Sequence, residues 1–225
     1  MCGIVGAVAE RNVTPILLEG LRRLEYRGYD SAGIAVLDED NCISRVRRVG
    51  KVKELADALQ QTEVRGTLGV AHTRWATHGE PSEKNAHPHV CNQSVVIVHN
   101  GIIENHSELR EKQSSDGFNF TSQTDTEVAA HQIEHYLKQD GDLLTAVRLA
   151  VKDFEGAYAL GVMSNSENDR LVASRRGSPL VIGVGFGEYF IASDAAALLP
   201  VTRQFIYLEE GDIADIRTGS LVIYD

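Results

Sequence analysis

The second half of the chain decides the fold class, because it reads AYALGVM at 157–163, LVA at 171–173, LVIGV at 180–184, YFIA at 189–192 and FIYL at 205–208. These runs are rich in β-branched and aromatic residues and are separated by turn residues, which is typical of strands. The gaps between them are too short to hold crossover helices. We therefore expect the strands to pair in antiparallel fashion.

The remaining segments alternate between strand and helix patterns. Apolar runs predict further strands at 2–9, 32–37, 43–49, 68–73 and 95–99. Helical spacing of apolar residues predicts helices at 15–27, 52–61, 128–137 and 143–151. Because the helices are segregated from antiparallel strands, the sequence predicts an α+β layered domain rather than a doubly wound parallel sheet.

Composition excludes several classes of protein. The 225 residues are 43% hydrophobic and 24% charged, with a formal net charge of −10, which matches a globular chain and disfavours nucleic-acid or anionic-membrane partners. No apolar run approaches the ~18 residues of a spanning helix, and the amino terminus lacks the features of a secretory signal. The three cysteines form no CxxC pair. We therefore expect free thiols and a cytoplasmic location.

Cys2 is the first candidate catalytic residue. Once Met1 is removed, the thiol and a free α-amino group belong to the same residue, and the amine, titrating near ~7.7–8.0, can take the thiol proton. Asn100 and Gly101 directly follow an apolar strand, where a side-chain amide and a glycine N–H can converge on one oxygen, as an oxyanion hole requires. Judged singly, a second-position cysteine is more often a core residue and an Asn-Gly pair more often a turn.

Two further residues suggest recognition of an amino acid. Arg74 ends a strand and can clamp a carboxylate with two parallel hydrogen bonds. Asp125 opens a helix and can accept a ligand ammonium, or can simply complement the helix dipole. The long polar segment 75–93 that follows Arg74 is a candidate lid. Together with a thiol and an oxyanion hole, these groups describe a site for an amino acid whose side-chain carbonyl is attacked.

Six blocks of sequence carry a family resemblance. They are CGIVGAVA from residue 2, LRRLEYRGYDSAGIAV from 21, AHTRWATHGEPSEKNAHPHV from 71, HNGIIENHSELR from 99, SQTDTE from 122 and RRGSPLVIG from 175. The chain resembles the glutaminase domains of the class II, N-terminal-nucleophile amidotransferases. Within that class, it is most similar to the branch of glutamine–fructose-6-phosphate aminotransferase (isomerizing), the glucosamine-6-phosphate synthases.

The resemblance implies a four-layer αββα sandwich of the N-terminal-nucleophile hydrolase type and a reaction that needs no cofactor or metal. It also implies that Cys2 attacks L-glutamine through a γ-glutamyl thioester, that the α-amine of Cys2 is the base, and that the released ammonia serves amino-sugar synthesis. The further roles that it implies are an oxyanion hole at Asn100 and Gly101, glutamine binding by Arg74, Thr77, His78 and Asp125, an ammonia gate at Trp75 and a neighbour of the nucleophile at Arg27.

The resemblance also implies an organisation larger than this chain. Residues 2–225 are expected to be the glutaminase domain alone, without the sugar-isomerase domains that bind the phosphosugar, and the full-length enzyme is expected to be a homo-oligomer. The isolated domain is then expected to hydrolyse glutamine to glutamate and ammonia. If Met1 is retained, the amine of Cys2 is blocked and the chain is inactive.

The sequence leaves three alternatives open. The first is a sibling amidotransferase of the phosphoribosyl-pyrophosphate or asparagine type. The second is a metal-binding module, since His87, His89 and Cys91 alternate and would share one face of a strand. The third is a catalytically inactive regulatory module, which fits a retained Met1 but not the complete set of polar site residues.

Overall fold

The computed structural model describes residues 2–75 and 80–225. The helices are α1 Thr14–Leu24, α2 Val52–Gln61, α3 His106–Ser115, α4 Asp125–Asp140 and α5 Leu143–Asp153, with 3₁₀ turns at Glu25–Arg27 and Ala195–Ala197. The strands are β1 Gly3–Val8, β2 Ser31–Leu37, β3 Ile43–Val49, β4 Leu68–Arg74, β5 His89–Cys91, β6 Val95–Ile103, β7 Gly156–Ser164, β8 Glu167–Arg176, β9 Val181–Val184, β10 Tyr189–Ala192, β11 Phe205–Tyr207, β12 Ile213–Arg217 and β13 Ser220–Tyr224.

The strands form two sheets in which neighbouring strands pair in antiparallel fashion. The first sheet has the order β11-β9-β10-β1-β4-β2-β3, and the second has the order β13-β12-β8-β7-β6-β5. The antiparallel prediction is therefore confirmed. Strand β1 lies near the middle of the first sheet and β6 near the edge of the second. Residue 2, which immediately precedes β1, and residue 100, which lies in β6, therefore approach from different sheets.

Three clusters of buried side chains separate four layers. One cluster packs α1 and α2 on the outer face of the first sheet, through residues such as Leu21 and Leu55. A second packs α4 and α5 on the outer face of the other sheet, through residues such as Ile133 and Val147. The third fills the space between the sheets. The predicted αββα sandwich is confirmed.

Local chemistry explains the start of α1 and both ends of α4. Pro15 stands in the first turn of α1, where its missing N–H costs nothing. The hydroxyl of Thr124 accepts a hydrogen bond from the backbone N–H of Glu127 at 3.3 Å, which caps α4. Gly141 ends α4 in the left-handed conformation, with φ +73°. The Thr124 cap therefore sets the start of α4 at Asp125, and Gly141 sets its end.

The structure contains elements that the sequence patterns did not predict. Helix α3 has a weakly apolar composition with two buried residues, Leu109 and Gln113, so its apolar periodicity is poor. Strand β5 is three residues long, and the β12–β13 hairpin at the end of the chain carries charged residues within its strands. None of the helices in the described part of the chain combines the length and apolar character needed to cross a membrane.

Candidate active site

Cys2 stands immediately before β1, at the mouth of a cleft. Its Sγ atom accepts a hydrogen bond from the backbone N–H of Trp75 at 3.2 Å and lies 3.5 Å from the carbonyl oxygen of the same residue. Burial raises the pKa of the Cys2 thiol, while the hydrogen bond from Trp75 lowers it in part. Because the net shift is upward, the thiol needs a nearby base to lose its proton at neutral pH.

Asn100 and Gly101 approach Cys2 from the second sheet. The side-chain amide of Asn100 donates from Nδ2 to the carbonyl oxygen of Cys2 at 3.2 Å. Gly101 has φ +124°, and a Cβ atom there would collide with the carbonyl oxygen of Ala157. Glycine is therefore required at this position. The structure brings together the thiol and the two residues predicted to form the oxyanion hole.

The cleft beside Cys2 has a volume of about 480 Å³ and is also lined by Arg74 and Asp125. Arg74, the last residue of β4, is 4% exposed, and its guanidinium lies 3.6 Å from the carboxylate of Asp30. The carboxylate of Asp125 accepts a hydrogen bond from the backbone N–H of Ile103 at 2.9 Å. One buried cation and one buried anion thus line a cleft large enough for an amino acid.

Trp75 and Arg27 flank the same cleft. The indole of Trp75 is 53% exposed and lies against Gly28, where φ is +89° and a Cβ atom would collide with the ring. Arg27 donates from its guanidinium to the carbonyl and hydroxyl oxygens of Ser193 at 3.3 and 3.2 Å. The predicted ligand-binding residues Thr77 and His78 lie outside the residues that the structure describes.

Four buried histidines form a layer beside the cleft, and two of them, His87 and His99, line it. Burial lowers the pKa of His72 to about 3 and lowers the pKa values of His87, His89 and His99 as well, so all four rings are neutral near pH 7. His87 lies 2.8 Å from the hydroxyl of Thr126, to which it is hydrogen-bonded. Because these rings are neutral, the charges that line the cleft belong to Arg27, Arg74 and Asp125.

The same layer bears on the metal-binding alternative. Within residues 2–75 and 80–225, no group of three histidine, cysteine, aspartate or glutamate side chains is arranged to hold a metal ion. His89 is hydrogen-bonded to the hydroxyl of Thr124 at 3.0 Å, and burial raises the pKa of the Cys91 thiol to about 12. The geometry therefore gives this alternative no support.

Sequence reasoning missed several residues that line the cleft. Ser178 and Pro179 come from the turn between β8 and β9, and Thr126 comes from the first turn of α4. The turn residues carry no local signal beyond their turn chemistry. Thr126 lies one position after Asp125, and its burial at 1% exposure could not be read from the sequence.

Comparisons with known proteins agree on one family. The family described as Glutamine amidotransferase domain matches residues 72–200. The chain is similar over its whole length to glutamine–fructose-6-phosphate aminotransferase (isomerizing) of Idiomarina loihiensis, at 64% identity, and of Escherichia coli K12, at 60% identity. The chain spans 37% of the length of these curated relatives.

Solved structures show the same fold. A glutamine phosphoribosylpyrophosphate amidotransferase from B. subtilis, complexed with ADP and GMP, superposes with a TM-score of 0.85 at 25% identity, over 99% of this chain and 49% of that chain. A glutamine aminotransferase class-II domain protein from Silicibacter pomeroyi superposes with a TM-score of 0.68 at 15% identity, over 100% of this chain and 99% of that chain. The second likeness concerns the fold alone.

Proposed function

Because the chain belongs to the glutamine amidotransferase domain family, we propose that it hydrolyses the side-chain amide of L-glutamine with Cys2 as the nucleophile. The products are L-glutamate and ammonia. The observation that carries the proposal is that Cys2 and Asn100, whose amide donates to the backbone carbonyl oxygen of Cys2, line one cleft together with Arg74 and Asp125.

The proposed reaction has two stages. The α-amine of Cys2 takes the thiol proton as sulfur attacks the amide carbon of glutamine, and the resulting oxyanion accepts hydrogen bonds from Asn100 Nδ2 and the N–H of Gly101. The amine then passes its proton to the departing nitrogen, which leaves as ammonia, and a γ-glutamyl thioester remains. Water then loses a proton to the same amine and attacks the thioester carbon; the C–S bond breaks, the sulfur takes the proton back from the amine, and glutamate is released. The mechanism requires removal of Met1, since an acylated nitrogen is no longer a base.

Arg74 and Asp125, two of the charged groups that line the cleft, suit the two ends of the substrate. In this proposal, the Arg74 guanidinium binds the α-carboxylate, and the Asp125 carboxylate binds the α-ammonium. Thr77 and His78 close over the bound substrate, Trp75 gates the exit of ammonia, and Arg27 lies beside the nucleophile. No cofactor enters the reaction.

The identity of the relatives supports a more specific role. At 60–64% identity over 225 residues, the chain is similar to enzymes named for fructose 6-phosphate. We propose that residues 2–225 act as the glutaminase domain of such an enzyme, in which sugar-isomerase domains receive the ammonia for glucosamine 6-phosphate synthesis. A homo-oligomeric full-length enzyme is part of this proposal. So is a cytoplasmic location, where the free Cys2 thiol stays reduced.

The second candidate is the glutaminase domain of a phosphoribosylpyrophosphate amidotransferase. The superposition on that enzyme at a TM-score of 0.85 favours it. Both candidates share the same glutaminase chemistry and differ in the acceptor of the ammonia. In the full-length protein, glutamine consumption stimulated by fructose 6-phosphate supports the first candidate, and stimulation by phosphoribosyl pyrophosphate supports the second.

The proposed glutaminase activity is tested with the Cys2→Ala variant of this chain. We expect glutamate release to fall by at least ~10³-fold, because the nucleophile of both stages is removed. Intact-mass measurement of the active preparation should show that Met1 is absent. The Cys42→Ala variant is the matched control, since Cys42 is an exposed thiol in the turn after β2, and it should retain full activity. Unchanged turnover in Cys2→Ala, or full activity with Met1 retained, would refute the mechanism.

A further inference from the structure

The orientation of the Asn100 side chain follows from its two hydrogen bonds. One end of the amide lies 3.2 Å from the carbonyl oxygen of Cys2, and the other end lies 2.9 Å from Nε2 of His72. A carbonyl oxygen can only accept, so the NH₂ group must face Cys2 and Oδ1 must face His72. Nε2 of His72 must therefore carry the ring proton and donate it to Asn100.

We propose that His72 is a positioning residue that holds Asn100 in the orientation needed for the oxyanion hole. This inference rests on the proposed glutaminase function. If Nε2 of His72 carried no proton, it would compete with the carbonyl oxygen of Cys2 for the NH₂ group of Asn100. The reverse amide orientation, with Oδ1 directed at the developing oxyanion, would then become accessible. Two oxygens of partial or full negative charge would then face each other, and the stabilisation would become a repulsion.

The surroundings of His72 hold its ring in place. The side chain is completely buried, and its ring stacks on the ring of His87 with a centroid separation of 4.2 Å. His87 is in turn hydrogen-bonded to Thr126 in the first turn of α4. His72 also pairs directly with Ile4 across β4 and β1, two residues from Cys2. A rigid ring so close to the nucleophile can act as a fixed donor.

Burial also sets the charge of His72. Because burial lowers its pKa to about 3, the imidazole is neutral at the pH of catalysis and carries one ring proton. Because Oδ1 of Asn100 faces His72, that proton lies on Nε2 and is donated to Asn100. His72 therefore has no proton-transfer role in the proposal, and its effect passes entirely through Asn100.

A double-mutant cycle tests this dependence on Asn100. We expect His72→Leu to lower kcat for glutamine hydrolysis by ~10- to 100-fold with a KM change below ~3-fold, and Asn100→Ala to lower kcat by ~10²- to 10³-fold. In the Asn100→Ala background, adding His72→Leu should change kcat by less than ~2-fold, because the positioned group is already missing. A purely structural role for His72 predicts instead that the two effects multiply.

Two further variants calibrate the cycle. His72→Gln keeps an N–H donor near the position of Nε2. If His72→Leu lowers kcat by more than ~10-fold, the kcat of His72→Gln should exceed that of His72→Leu by at least ~10-fold. If the loss in His72→Leu is smaller, His72→Gln should restore most of it. His131→Leu removes another buried imidazole, which packs on Phe118 and Phe120 away from the cleft, and should leave kcat within ~2-fold of wild type. A cycle in which His72→Leu and Asn100→Ala multiply would overturn the proposal, as would a kcat for His72→Leu equal to that of wild type.

A measurement on the unmutated protein avoids any dependence on how the variants fold. Nitrogen-15 NMR of labelled histidine should show His72 as the neutral tautomer protonated at Nε2 from pH 5 to pH 8. Protonation at Nδ1 would overturn the proposal without affecting the glutaminase function. If the wild-type chain hydrolyses no glutamine at all, the proposed function fails, and the NMR result then still decides the orientation of Asn100.

Discussion

At the scale of single residues, the site depends on side chains whose chemistry has no close substitute. Arg74 is buried at 4% exposure and lines the cleft near Asp30. A planar guanidinium can offer two parallel N–H donors to a carboxylate, whereas an ammonium is a point charge. The role proposed for Arg74 therefore depends on its shape as well as on its charge.

Arg74→Lys tests this role. We expect the KM for glutamine to rise by at least ~10-fold with a smaller change in kcat. The reason is that the α-carboxylate is bound to a similar extent in the ground state and in the transition state, and both interactions are weakened. The control substrate is 4-aminobutyramide, which lacks the α-carboxylate and should be hydrolysed with the same kcat/KM by both proteins. An unaltered KM for glutamine would remove Arg74 from carboxylate binding.

At the scale of secondary-structure elements, one arginine ties together two strands and a helix. Arg170 on β8 makes a two-pronged pair with Asp215 on β12 at 2.6 and 2.8 Å, and it also donates to Asp142 at 2.6 Å and to Glu167 at 2.8 Å. Asp142 caps α5 through a hydrogen bond from the N–H of Thr145. The 5% exposed Arg170 therefore links the end of the α4–α5 hairpin to the sheet beneath it.

Removing this cation should destabilise the chain. We expect Arg170→Met to lower the free energy of unfolding by about 3 kcal/mol at pH 7, because three carboxylates lose their shared partner. The control is Arg65→Met: Arg65 pairs with Glu63, both side chains are about three-quarters exposed, and the loss should stay below ~0.5 kcal/mol. Urea unfolding measures both, and similar losses in the two variants would contradict this account.

The same ion pairs predict a pH dependence. Partial burial acts to raise the pKa of Asp142, but hydrogen bonds from Thr145 and Arg170 outweigh it and lower the pKa to about 2, below the ~3.9 of an unfolded aspartate. The stabilisation is therefore complete above ~pH 4 and is lost as the pH falls through about 2. The difference in unfolding free energy between wild type and Arg170→Met should shrink over that interval, and a constant difference would show that Asp142 is not involved.

At the scale of the whole molecule, the site exists because two sheets pack face to face. Cys2 leads into the first sheet, while Asn100 and Gly101 belong to the second. Ile191 lies between the sheets, where its side chain packs over Gly6 in one sheet and Gly161 in the other. A Cβ atom at Gly6 would lie 2.7 Å from Cγ1 of Ile191, and one at Gly161 would lie 2.7 Å from its Cδ1. The isoleucine fills space that both glycines leave open.

Ile191→Ala should consequently leave a cavity that its neighbours cannot fill. We expect the free energy of unfolding to fall by about 4 kcal/mol, towards the upper end of the range for such truncations, because glycines have no side chains that could move into the gap. The control is Ile206→Ala on the edge strand β11, where the side chain is 36% exposed, with an expected loss below ~1 kcal/mol. A loss below ~1 kcal/mol at Ile191 would show that the layers repack freely.

The sequence by itself determined the local structure and the chemical groups. Runs of apolar residues predicted most of the strands, and apolar residues at helical spacing predicted four of the helices. Both patterns arise because one face of each element packs against a core. They failed at α3 and at the β12–β13 hairpin, whose exposed and charged residues blur the pattern. Taken together, the residue types of Cys2, Asn100, Gly101, Arg74 and Asp125 suggested attack on a side-chain carbonyl, although each residue alone favoured a structural role.

Only the tertiary structure decided how those groups meet. Residues 2 and 100 are 98 positions apart, and their approach depends on the packing of two sheets rather than on any local pattern. The hydrogen bond from His72 to Asn100 could not be predicted from the sequence either, since the order of residues 71–74 does not indicate which residues of the other sheet they face. Local propensity acts over a few residues, whereas the burial of apolar surface acts on the whole chain at once, and it is this burial that sets the distances within the site.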